Sequence, residues 1–314
     1  MTDVQITDRE SFDCVDSLWA DAFTRKPLDT IYTMLRVSGL ADAQWDPFEE
    51  TRETFSDYNW HLKAQSDELS PKSSWRIGLL MYCHAVEMSA VHNTLANLIR
   101  ISQGQRYNVT PLNHLSPTSK KKKKKLFEFI PPSATVKWRE LLKMSGEAEL
   151  DDLVRIIGAI YNDTVRNAFS HSDYIITDTH FRWTEGGLAG EMPLGQVSNL
   201  ITNSFNFFSV FTALNDRWLN MIGKSPRYHK LPQYEVLELI TDDSSKLNGF
   251  RVHFSNGNSA QFIRTDAGVD CTNLCFGTDG SINFMVGELE SLEDRWVVNG
   301  KTVDFGDQSV IDKL

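Results

Sequence analysis

The apolar residues of this 314-residue chain change their period once, and that change limits what the chain can fold into. Up to about residue 225 they recur every three to four positions, the spacing of helices with one buried face. After Pro232 they mostly alternate, the spacing of half-buried strands. Helical spacing covers residues 11–24 and 27–40, the second stretch ending at Gly39. It resumes over 73–102, where serine is available as an N-cap and Gly104 as a stop, and again over 134–144, 147–170 and 194–222. Within 147–170, Leu150, Leu153, Ile157 and Ile160 form a stripe that needs a partner helix, so the set predicts a helical bundle.

Between the last two helices, residues 174–187 are rich in β-branched and aromatic side chains and predict a short inserted hairpin. Near the C-terminus, Asn256-Gly257 and Asn299-Gly300 each separate two alternating segments, and Asn-Gly supplies the positive φ of a tight hairpin turn. The reading is therefore mainly α: a helical domain over 1–230, then a small antiparallel β subdomain over 231–314.

Charge narrows the partners. The net charge of −10 argues against a protein that coats nucleic acid over its whole surface. From Leu231 onward there are 14 acidic and 6 basic residues, whereas residues 1–230 carry 28 acidic against 26 basic, so a basic patch remains available in the helical part. One run stands out there: Lys120, Lys121, Lys122, Lys123, Lys124 and Lys125 are consecutive. It reads either as a solvated loop of mutually repelling charges or as an arm that attracts RNA phosphates by releasing counterions. No leader-like segment and no apolar run of about 18 residues is visible, which leads to the expectation of a cytoplasmic protein without a membrane partner. The four cysteines are scattered and the histidines lack spaced partners, so neither disulfides, nor a metal, nor a cofactor is expected. A phosphate-binding glycine loop, a nucleophile elbow and a metalloprotease helix are all missing from the sequence.

The stretch that carries chemistry is "RNAFSH", Arg166 to His171, near the end of the fifth helical stretch. It resembles the signature of HEPN domains: an arginine, a polar residue, three further residues and a histidine, set in a helical bundle. The resemblance covers the motif and the helices from about 73 to 222. It implies a metal-independent endoribonuclease, of the kind found in toxin–antitoxin, phage-defence and RNA-processing systems, which pairs as a homodimer so that two motifs line one cleft. An antitoxin or other regulatory protein is then a possible partner. A non-catalytic HEPN-like module that dimerises, binds nucleotide or RNA, or docks a partner is the alternative.

The residue types suit cleavage of RNA. Histidine exchanges protons near neutrality, which makes His171 the general base or acid. Arginine offers a permanent forked donor to a phosphorane-like transition state, the role of Arg166. Asn167 would orient the phosphate or hold Arg166. On an ideal helix five residues turn through about 140°, so Arg166 and His171 share a face only if the helix ends between them. Asp163, one turn earlier, is read either as steering Arg166 or as a plain surface ion pair. Tyr174 resembles the tyrosine that follows the histidine in some HEPN toxins, one position later here. His84 and Glu87, taken as neighbours on one long helix, either face the site across the bundle or belong to an ordinary helix surface.

Overall fold

The computed structural model describes residues 5–37, 47–64, 70–116, 130–185, 187–230, 236–254, 257–265, 268–285, 295–298 and 301–304. Among these residues the chain is predominantly helical with antiparallel β structure, and no helix is long and apolar enough to cross a membrane. It divides into two compact units. The first takes Met1–Thr30, Asp46–Gln105 and Thr110–Leu214, and the second Ile31–Trp45, Arg106–Val109 and Asn215–Leu314. The division does not follow the expected cut at residue 230, because the end of one helix and two upstream segments belong with the β structure.

The helices are α1 (Asp8–Arg25), α2 (Pro27–Leu35), α3 (Pro47–Ala64), α4 (Pro71–Ala85), α5 (Ser89–Ser102), α6 (Ala134–Glu147), α7 (Asp151–Ile160), α8 (Asp163–Ser170) and α9 (Leu194–Gly223). A capping box starts α1: Thr7 accepts from the Glu10 N–H, and Glu10 accepts from the Thr7 N–H. Ser70 caps α4, with Pro71 in the first turn. Gly104, at φ +78°, ends α5 as its position suggested.

Two stretches that read as single helices are each broken. The stretch 73–102 becomes α4 and α5, separated by a turn through Val86 to Met88. The stretch 147–170 becomes α7 and α8, separated by Tyr161 and Asn162 in extended conformation. Helix α3 had no counterpart in the sequence reading, since its apolar residues are sparse. In the first unit the core is built by Val15, Leu18 and Trp19 of α1, Leu95, Leu98 and Ile99 of α5, Ile156, Ile157 and Ile160 of α7, and Phe207, Phe208 and Phe211 of α9, all buried. Leu80 of α4 is exposed.

The inserted hairpin is a three-stranded antiparallel sheet of β1 (Tyr174–Ile176), β2 (His180–Glu185) and β3 (Leu188–Pro193), in that order. The second unit centres on a five-stranded antiparallel meander, β4 (Tyr228–Lys230), β5 (Val236–Thr241), β6 (Leu247–His253), β7 (Ser259–Thr265) and β8 (Gly268–Thr272). Two further two-stranded pairs follow: β9 (Leu274–Phe276) with β10 (Ile282–Phe284), and β11 (Arg295–Val298) with β12 (Lys301–Asp304). The pairings His253↔Ser259 and Val298↔Lys301 close the hairpins around the two Asn-Gly positions.

Alternation sets the two faces of the five-stranded sheet. Leu237, Leu239, Phe250, Val252, Ala260 and Phe262 are buried on one, and Tyr32 packs its ring 5.0 Å from that of Phe250. Gly249 is required where β6 meets β7, since a Cβ there would lie 2.6 Å from the Phe262 carbonyl oxygen. The other face is mixed, with Val236 buried beside Glu238, which accepts from Arg227 Nε (3.0 Å), Arg251 Nη1 (3.1 Å) and His253 Nε2 (2.8 Å).

Burial alone pushes the Glu238 carboxyl up, but hydrogen bonds from His253 and Arg227 and the charges of Arg251 and His253 outweigh it and hold the pKa at about 2, against an ordinary 4.5. The folded value lies below the unfolded one, so this stabilisation is complete above about pH 4.5 and is lost as pH falls towards 2. Its upper limit is on the order of 3 kcal/mol. Near-UV circular dichroism of the full chain should therefore show acid loss of structure across that window, and Glu238→Gln should flatten the pH dependence there.

Candidate active site

Helix α8 is eight residues long, and both of its ends are fixed by hydrogen bonds. At its start, Asn162 is 4% exposed, and its Oδ1 accepts from the Val165 N–H at 3.0 Å. The hydroxyl of Tyr82, buried on α4, accepts from the Asn162 N–H (2.9 Å) and donates to the Asn162 carbonyl (3.3 Å). The extended backbone that separates α7 from α8 is thus satisfied from outside. At the other end the Ser172 N–H donates to Phe169 O and the Asp173 N–H to Ala168 O, with Ser172 at φ +62°. That is a Schellman turn with serine in the position that favours glycine, and His171 is its C-cap.

The motif residues fall on this short frame. Arg166 is largely buried: Nη1 donates to Asn167 Oδ1 at 2.9 Å, Nη2 is ion-paired with Glu87, and Nε is buried without a partner. His171 is exposed, and its imidazole meets no hydrogen-bond partner among the described residues. The helix continues past Arg166 to Ser170, so on regular helical geometry the two side chains leave it about 140° apart.

Glu87 is in the turn between α4 and α5 rather than on a long helix, its N–H donating to the His84 carbonyl. That turn is anchored by Trp138 of α6, whose indole donates to Val86 O at 2.9 Å. Next to Trp138, Lys137 donates from Nζ to Ser89 Oγ at 2.8 Å. Burial pulls the Lys137 pKa below the ordinary lysine value, and the charge of Glu87 opposes that fall. Glu87 consequently serves two cations, Arg166 directly and Lys137 through space.

The supporting residues sort themselves differently from the sequence reading. Asp163 does not steer Arg166; it pairs with Arg139 of α6 at 2.6 Å, because its position in the first turn of α8 faces that helix. Tyr174 stands between Phe169 (5.0 Å) and Phe181 (5.4 Å, stacked) and joins the end of α8 to the three-stranded sheet. His84 is exposed and meets the Tyr58 ring edge-on at 5.6 Å. Lys120 to Lys125 lie outside the described residues.

No known protein family, curated protein or solved structure matches this chain. Its chemistry has to be read from the side chains. The neighbouring thiol offers none: burial drives the Cys83 pKa up to about 11, and its Sγ lies 3.9 Å from the Arg166 carbonyl. Tyr161, stacked on Trp138, shares a 2.7 Å hydrogen bond with Thr135, and burial raises its pKa. No group of three or more His, Cys, Asp or Glu side chains that could hold a metal occurs among the described residues.

Lys137, Ser89 and Arg139 were missed in the sequence. They come from α5 and α6, far from the motif along the chain, and no spacing rule links them to it. What the arrangement provides is a guanidinium held between an amide oxygen and a carboxylate, an ammonium in electrostatic range of that carboxylate, and a separate, accessible imidazole at the end of the same helix. The frame itself can be tested. Asn162→Ala removes a buried cap and should cost about 1–2 kcal/mol in urea unfolding, with faster amide exchange over residues 163–171.

Proposed function

We propose that this chain is a metal-independent endoribonuclease of the HEPN type, a stress, toxin or phage-defence effector that cuts single-stranded RNA and leaves a 2′,3′-cyclic phosphate. The observation that carries the reading is the joint placement of Arg166, Asn167 and His171 on one short, doubly anchored helix, with the imidazole open to solvent. In this reading the first unit is a HEPN bundle. His171 exchanges the proton of the 2′-hydroxyl or of the leaving 5′-oxygen. Arg166 stabilises the phosphorane-like transition state, Asn167 holds its guanidinium, and Lys137 adds a second positive charge.

The 140° offset bears on assembly. The family resemblance implies a twofold homodimer in which Arg166 of one copy works with His171 of the other, and the offset of the two residues on α8 is compatible with that sharing. The Glu87 carboxylate occupies the position that a phosphate would take on Arg166, and binding of RNA exchanges one anion for the other.

The second reading is a non-catalytic module that dimerises, binds RNA or nucleotide, or docks a partner such as an antitoxin. The observation favouring it is that Arg166 is already held by its own chain's Glu87.

Cleavage of a mixed-sequence labelled RNA in EDTA separates the two. The purified protein should cut, and His171→Ala and Arg166→Ala should each lose at least about 100-fold in rate. A wild-type protein that binds but does not cut selects the second reading. The anion exchange has its own test in fluorescence anisotropy at low salt. Glu87→Gln should tighten RNA binding several-fold, whereas Glu147→Gln, an equal charge change at an exposed position on α6, should not.

A further inference from the structure

The five-stranded sheet of the second unit carries an acid where an apolar residue is expected. Strand β5 reads Val-Leu-Glu-Leu-Ile over residues 236–240, an apolar run interrupted only by Glu238, whose side chain is 3% exposed. Taking a carboxylate out of water costs several kcal/mol even after relaxation, and apolar replacements of buried ion clusters are often neutral or stabilising. Packing alone therefore gives no reason for this residue, and a local rule broken in this way points to a site.

Three side chains close over the carboxylate. Arg227, just before β4, gives Nε and Nη2 to one oxygen; Arg251 Nη1 and His253 Nε2, both from β6, reach the other. Each keeps a further nitrogen without a partner among the described residues: Nη1 of Arg227, Nη2 of Arg251 and Nδ1 of His253. The donors are held in place as well as satisfied. Arg251 Nε donates to Gln261 Oε1 at 2.8 Å, Gln261 donates in turn to Asp270 at 2.6 Å, and Arg227 lies over the Tyr228 ring at 5.5 Å.

Exposure rises away from the acid, from 22% for the His253 side chain to 33% for Arg251 and 66% for Arg227. A ligand can reach all three. Two guanidinium groups over one carboxylate leave the cluster positive even with His253 neutral. It is a preorganised cationic spot, and guanidinium forks match phosphate oxygens.

We propose that Arg227, Arg251 and His253, set in place by Glu238, form a binding site for a terminal phosphate monoester, as carried by a mononucleotide or a 5′-phosphorylated RNA end. The spare guanidinium nitrogens of Arg227 and Arg251 offer donors to two outer oxygens of such a group, and Nδ1 of His253 offers a third when the ring is protonated. Glu238 acts as the internal anion that fixes the donors in the absence of ligand. The site is separate from the ribonuclease reading and stands or falls without it.

Calorimetric titration of the full chain at low salt tests the assignment, with inorganic phosphate, AMP, and one short RNA carrying either a 5′-phosphate or a 5′-hydroxyl as the probes. Saturable binding of phosphate and AMP is expected, weakened at least tenfold by Arg227→Gln or Arg251→Gln and unchanged by Lys143→Gln on α6. The position of Arg227, two-thirds exposed, keeps the first variant independent of folding, and Arg251→Lys retains the charge at the second. Preference of at least tenfold for the 5′-phosphorylated RNA assigns the site to RNA ends, and equal binding of the two RNAs assigns it to free nucleotides. Absence of saturable phosphate and AMP binding, binding that survives both glutamine substitutions, or tighter binding of a hexaglutamate peptide than of phosphate would overturn the proposal.

Discussion

The hydroxyl of Tyr82 hydrogen-bonds to both the N–H and the carbonyl of Asn162, and the candidate site depends on that contact. Loss of the hydroxyl would remove both of these bonds, while the carbonyl keeps the one it accepts from the Arg166 N–H at 3.1 Å; an unmade buried hydrogen bond costs about 1–3 kcal/mol. With the hydroxyl in place, α8 can leave the direction of α7 and bring Arg166 to the turn that carries Glu87. Trp138 performs the complementary task from α6 by anchoring that turn through Val86. Two long-range side-chain contacts to backbone thus locate the two members of one ion pair.

Each unit uses an internal carboxylate to hold cations. Glu87 has one arginine in contact and one lysine in range, and it is partly exposed, so an incoming anion can compete with it. Glu238 is almost fully buried and accepts from three residues, so its partners can be engaged only from their outer side. The same chemistry therefore has opposite consequences. An anion arriving at Arg166 displaces the resident acid, whereas one arriving at Arg227 and Arg251 is added to it.

The sequence disclosed the change from helical to strand period, the hairpins around Asn256-Gly257 and Asn299-Gly300, and the stop at Gly104, because each rests on local backbone preference. It did not disclose the two helix breaks. Residues 73–102 and 147–170 keep their apolar spacing across the breaks at Val86–Met88 and Tyr161–Asn162, and what interrupts them is Trp138 and Tyr82 on other helices. The site was legible to the same degree. Arg166, Asn167 and His171 stood together in the chain, and Glu87 was within view, but Lys137 and Arg139 reach the motif only through the packing of α6. Asp163 illustrates this: of the two readings left open for it, an ion pair holds, but its nearest cation along the helix is Arg166 and the one it pairs with is Arg139.

Cys83 gives the α4–α8 contact a built-in chemical clock. With its pKa near 11, the thiolate fraction at neutral pH is on the order of one part in ten thousand, and thiolate is the form that alkylating reagents attack. In the closed protein the sulfur, against the backbone of Arg166, is nearly inert. Any opening that carries α8 away from α4 restores an ordinary thiol, so the rate of alkylation at this one atom measures how often the arginine's helix lifts from its seat.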